Sequence, residues 1–194
     1  MLFRSSNYSL DQSGINLGYS STYFFFNSAW RKVGANVNSN YNDTVFLPDQ
    51  YVVIRQNNGA DTTQVTAMGQ VALSRIRIPL YSNSFGGPKQ DNFVGLVRPS
   101  NYSLDQSGLT NAFTATTSLG SRNDELLVFD NSVQQKNKGP SATYFYYNNG
   151  WRKVGASVSV NFGASNVFQA ASGAIVRKQT NSVLTSVWAN DPNY

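Results

Sequence analysis

Ten carboxylates are the only acidic side chains in this 194-residue chain, and Glu125 is the single glutamate among them. Cleaving a glycosidic bond takes two carboxyl groups about 5–9.5 Å apart across it. Asp124-Glu125 is the one adjacent acidic pair, and neighbours on a strand point to opposite faces. Asp11 and Asp105 sit at matched places in a repeated phrase, 94 residues apart. The chain has no histidine and no cysteine. Their absence removes the commonest general base, every Ser-His-Asp arrangement, thiolate nucleophiles and Cys/His zinc sites. No D-x-D-x-D-G spacing marks a calcium loop, and "SFGGPKQDN" (84–92) lacks the lysine-serine pattern of a phosphate loop. These residues predict no enzyme, no cofactor and no metal.

Aromatic side chains are the remaining candidates: Trp30, Trp151 and Trp188, with 11 Tyr and 12 Phe. Exposed beside Asn, Asp and Gln, such rings stack on pyranose faces and make a glycan platform. Buried, they fill a core between sheets, the use that large aromatics most often have. Charged residues are 13% of the chain, about half the usual share. Asn, Ser, Thr and Gln take their place, a surface common in exported β proteins. The net charge of +5 comes from basic residues scattered between Arg4 and Lys178. Without a run of basic residues the chain has no nucleic-acid groove. No apolar run reaches the ~18–20 residues that span a membrane as a helix. "MLFRSSNYSL" contains no apolar leader core, so an exported protein of this sequence is expected to be a mature form.

The elements that must position these residues are written twice. "SNYSLDQSG" occupies 6–14 and again 100–108, and "TYFFFNSAWRKVGA" (22–35) matches "TYFYYNNGWRKVGA" (143–156) at 10 of 14 positions. "VVIRQ" (52–56) and "AIVRKQ" (174–179) follow in the same order. Three blocks in one order, twice, predict an internal duplication. The nine-residue phrase reads as a corner: Ser, Asn and Asp bond their own backbone in turns, Gly supplies positive φ, and Tyr and Leu tuck inward.

The block spacings of 94 and 121 differ by 27 residues. Seven residues separate Gly14 from Thr22, whereas 34 separate Gly108 from Thr143. The longer stretch holds "DELLVFDN" (124–131), a buried-strand pattern in which Leu126 and Val128 face one way. The first unit is expected to lack that strand. Aromatic and β-branched runs at 50–55, 71–80, 92–97, 173–178 and 182–188 add further strands, and no 3.6-residue apolar stripe persists. The expected fold is all-β, as two tandem sandwich or barrel-like units over 1–97 and 98–194.

The aromatic hairpins ending in "WRKVG", the Ile/Val-Arg strands after them and the linking "IPLYSNSFGGPKQDNFVGL" (78–96) resemble a family of exported, duplicated, β-rich bacterial proteins of verrucomicrobial type. The resemblance covers nearly the whole chain and implies export and a two-unit β fold. It implies no activity, and the short first unit and the absence of a leader depart from the family pattern. The expected function is an extracellular or cell-surface protein that associates with itself. In that expectation the short unit is completed by a strand from a neighbouring copy. "MLF" or the tail "SVLTSVWANDPNY" (182–194) would be the donor, with Trp30, Trp151, Leu126, Val128, Trp188 and Tyr194 as assembly or structural positions. The alternative is a module that binds extracellular glycans through exposed aromatics.

Overall fold

The computed structural model describes residues 2–5, 21–46, 52–55, 73–83, 86–95, 98–130, 132, 139–170, 172–181 and 185–192. Among them the chain is all-β. The strands are β1 (Leu2–Ser5), β2 (Ser21–Phe26), β3 (Ala29–Lys32), β4 (Val52–Arg55), β5 (Ile76–Tyr81) and β6 (Gln90–Gly95). They continue as β7 (Glu125–Val128), β8 (Ala142–Tyr147), β9 (Gly150–Lys153), β10 (Gly173–Lys178) and β11 (Thr185–Asn190). A single 3-10 turn, Leu109–Ala112, is the one helical element described.

Both aromatic hairpins close through two residues with positive φ: Asn27 and Ser28 at 49° and 59°, Asn148 and Asn149 at 47° and 54°. Two left-handed residues match the right-handed twist of paired strands, and Asn tolerates that conformation. The turns fall at 27–28 and 148–149, so Ala29 and Gly150 already open the returning strands.

Three sheets result, with strand orders β3-β2-β1-β4, β6-β10-β7-β8-β9 and β11-β5. The first two share a plan. Phe25 pairs with Trp30 as Tyr146 pairs with Trp151, and Tyr23 with Lys32 as Tyr144 with Lys153. Position 55 lies opposite Leu2 of β1, and Arg177 lies opposite Glu125 of β7. The place of β7 in the second sheet is thus taken in the first by β1, between β2 and β4. The strand left unmatched by sequence has a structural counterpart, because a sheet open at its centre would leave two rows of backbone groups without partners. What the first sheet does not have, among the described residues, is a counterpart of β6 outside β4.

Pairing also crosses the expected division at 97/98. Strands β5 and β6 precede it, yet they bind β11 and β10 after it. The buried core lies between the second sheet and a covering layer. The sheet contributes Val94, Leu126, Tyr144, Trp151 and Val176. The cover is Ile78 and Leu80 of β5, Trp188 of β11, and the 102–113 segment through Tyr102, Leu104, Leu109 and Ala112. That segment is the second copy of the repeated phrase, and it is a corner. Tyr102 exchanges backbone hydrogen bonds with Phe168 and stacks on its ring at 4.9 Å. Ser107 Oγ donates to the Leu104 carbonyl, Leu104 is fully buried, and Gly108 turns the chain at φ 70°. A Cβ at Gly108 would fall 2.4 Å from the Ala189 carbonyl oxygen, so glycine is required there. The first copy of the phrase, 6–14, lies outside the described residues.

Trp151 is 0% exposed, whereas Trp30 is only half-buried. Trp151→Ala is expected to lose about 3–5 kcal/mol as a core truncation. Trp30→Ala, at the matched place in the first sheet, is expected to lose no more than about 1–2 kcal/mol. Urea melts of the two variants beside the parent measure the difference.

Candidate functional site

The aromatic face of the first sheet stands out because it carries exposed apolar side chains, Phe25 and Ile54. Residues directly opposite in an antiparallel pair share a face, which groups Tyr23, Phe25, Trp30 and Ile54. Phe25 is 56% exposed and Ile54 38% exposed. Phe25 and Trp30 meet edge to face at 5.5 Å. In the second sheet the matched Trp151 touches Tyr146 on its own sheet and Phe113 of the covering segment, at 5.5 and 5.1 Å. Tyr23, on the same face of the first sheet, is buried and meets Tyr41 and Phe46 edge to face at 5.9 and 6.4 Å.

The edge beside each tryptophan is closed locally. Asn42 Oδ1 accepts the Trp30 N–H at 2.8 Å, and Tyr41 N–H donates to the Trp30 carbonyl at 2.9 Å. In the second sheet Asn161 Oδ1 and the Phe162 N–H hold Trp151 in the same way. The loops also rest on arginine: Arg31 donates to the Ser39 carbonyl and Arg152 to the Val160 carbonyl. An asparagine latch on the outer strand of each hairpin went unread in the sequence, where these loops show only as Asn- and Ser-rich. Among the described residues no strand or loop covers the outer side of β4.

The other expected positions are interior or engaged. Trp151, Leu126 and Trp188 are fully buried, and Val128 packs against the same core. Trp188 Nε1 donates to the Ser107 carbonyl at 2.7 Å, and Asn190 Nδ2 donates to the same oxygen at 3.1 Å. Both segments expected as donor strands are engaged in their own chain: Leu2 and Phe3 in β1, and Thr185–Asn190 of the tail in β11 on β5. Tyr194 and Met1 lie outside the described residues.

Four acidic groups, Asp91, Asp124, Glu125 and Asp191, are held in ion pairs. Asp124 and Glu125 point to opposite faces, as adjacent strand residues must. On the outer face, Arg177 binds Asp91 through two hydrogen bonds of 2.6 and 2.9 Å. Glu125 accepts from Arg122 at 2.6 Å and from Lys89 at 3.3 Å. Burial pushes the Glu125 carboxyl up, but its hydrogen bond to Arg122 and the charge of Lys89 outweigh that and hold it below the usual carboxylate range. On the inner face Asp124 meets Lys178. Among the described residues no group of three or more acidic side chains is placed to hold a metal. A cavity of about 340 Å³ beside Tyr144 and Phe168 has Asp130 and Lys153 as its charged lining, an arrangement with no acid–base pair of carboxyls.

The lowered Glu125 value has a definite sign. Its contribution is complete above the unfolded-state value and is lost as pH falls through the folded-state value. Glu125→Gln is expected to be less stable than the parent by about 1 kcal/mol near neutral pH. The gap is expected to narrow below roughly pH 4, where unfolded glutamate protonates. Urea midpoints of both proteins across an acid series measure it.

Comparison of the chain with protein-family models, with curated proteins and with solved structures finds no match.

Proposed function

We propose that this chain is an extracellular structural protein that assembles with copies of itself through its first sheet. The observation that carries the reading is the contrast between two sheets of one plan: Trp151 and Val176 are buried beneath a second layer, while Phe25 and Ile54 of the first sheet are exposed. Large apolar side chains exposed on one sheet face favour a contact site. Among the described residues no strand lies on the outer side of β4, "VVIR", and a strand edge of that kind templates pairing with another chain. A β4-to-β4 contact is symmetric and joins two copies, and a face contact joins the next pair. Two different contacts on each copy propagate into a filament, whereas either alone stops at a dimer. The low charge content offers little repulsion to oppose it. Strand donation by the tail is not needed in this arrangement, since β11 and Trp188 are part of the folded core.

The second reading, a glycan-binding module, is favoured by one feature: the half-exposed Trp30 lies beside a loop carrying Asn36, Asn38, Asn40 and Asn42. Stacking on that ring and hydrogen bonds from those amides would hold a sugar.

Sedimentation of the purified chain over a concentration series separates the two. Self-assembly predicts mass that rises with concentration. It also predicts that Phe25→Lys with Ile54→Lys, both at exposed positions, returns a folded monomer. A parent that stays monomeric at high concentration removes the assembly reading. Binding to a carbohydrate array that Trp30→Ala abolishes would then establish the other.

A further inference from the structure

We propose that Asp124 and Lys178 are joined by a covalent amide bond that forms spontaneously in the folded protein. The proposal is independent of self-assembly and concerns the interior of the second sheet.

Asp124 immediately precedes β7, and Lys178 is the last residue of β10. Arg177 pairs with Glu125, so one further step of that antiparallel register sets Lys178 opposite Asp124. Their side chains are 4% and 0% exposed and in direct contact through Nζ and Oδ2. The surroundings are arranged for acyl transfer. The Gln179 N–H donates to Asp124 Oδ1 at 2.8 Å, and the Thr114 N–H donates to Oδ2 at 2.6 Å. Lys178 Nζ also donates to the Ala112 carbonyl at 2.5 Å and lies 5.7 Å from the Phe113 ring centroid. A desolvated lysine amine is a nucleophile, and fixed N–H donors on a carboxyl stabilise the oxyanion that its attack creates. Two groups held in contact react as though at very high concentration.

The step is a condensation with no change of oxidation state. Lys178 Nζ passes one proton to Oδ2, leaving an amine and a carboxylic acid. The nitrogen lone pair forms a bond to the carboxyl carbon, and the negative charge gathers on Oδ1 under the Gln179 N–H. A second proton moves from nitrogen to Oδ2. The carbon–Oδ2 bond then breaks, water leaves, and the carbonyl reforms at Oδ1. The third proton stays on the amide nitrogen, where the Ala112 carbonyl accepts it. Nothing outside the chain is consumed.

The bond would tie β7 to β10 across 54 residues in a chain that has no cysteine for a disulfide. Closing a loop of that length restricts the unfolded chain, as a disulfide does. It would also fix the floor beneath the covering segment, because Thr114 and Ala112 already bond to this pair.

The test is the mass of the purified full chain under denaturing conditions, followed by tryptic mapping. The expected result is a protein lighter than its sequence by one water. No cleavage should follow Lys178, and a branched peptide should join the Asp124 and Lys178 segments. Lys178→Arg keeps the positive charge but not the amine, and it is expected at full sequence mass with a lower thermal midpoint. A parent at full sequence mass, with a β-sheet circular dichroism spectrum, overturns the proposal. So does a missing water that persists in Lys178→Arg or maps to another site.

Discussion

A β-sheet with one aromatic face must be covered on that face, and the organisation of this protein follows from how that need is met. In the second sheet the cover is complete. Leu104, Leu109, Ile78, Leu80 and Trp188 lie over Leu126, Tyr144, Trp151 and Val176 as one cluster. The covering residues come from three separate parts of the chain, before, between and after the strands they cover. That is why β5 and β6 are bound to the second half although they precede it. Layered burial of this kind is the largest favourable term available to a chain with few ion pairs and no disulfide.

Polar groups decide where the cover sits. Arg98 is buried and donates to the side chain and backbone of Asn190 at 2.7 and 2.6 Å, which ties the start of the corner to β11. The Ser107 carbonyl receives Trp188 and Asn190 together. Asp124 and Lys178 hold the 112–114 stretch from below. A buried charge is tolerated only with its partners satisfied, and here the bonds of that pair to Thr114 and Ala112 fasten one layer to the other. The aromatic cluster therefore supplies burial, and the polar bonds select one placement of it.

The two sheets answer the same sequence plan differently. Both hairpins turn through two left-handed residues, and both latch their outer strand with an asparagine. They differ in the centre, where β1 stands in the place of β7, and at the flank, where the second sheet gains β6. The sheet with five strands has a sealed face. The sheet with four described strands exposes Phe25 and Ile54 on the matching face, and that difference carries the proposed function.

Much of this was legible in the sequence. Period-2 aromatic runs, an Asn-rich two-residue turn and the letters of "SNYSLDQSG" specify strands, hairpins and a corner through local chemistry alone. The opposite facing of Asp124 and Glu125 follows from strand geometry. So does the shared face of Trp151 and Lys153. Other features depend on which distant strands meet. The sequence does not reveal that β1 would lie between β2 and β4, that β5 would pair with β11, or that Lys178 would stand against Asp124. Nor does it separate Trp30 from Trp151, which sit at matched places in hairpins alike at 10 of 14 positions. Local propensity is carried by adjacent residues, whereas burial is set by a second layer folded from elsewhere. Only the tertiary structure decides how deeply each of two closely similar motifs is buried.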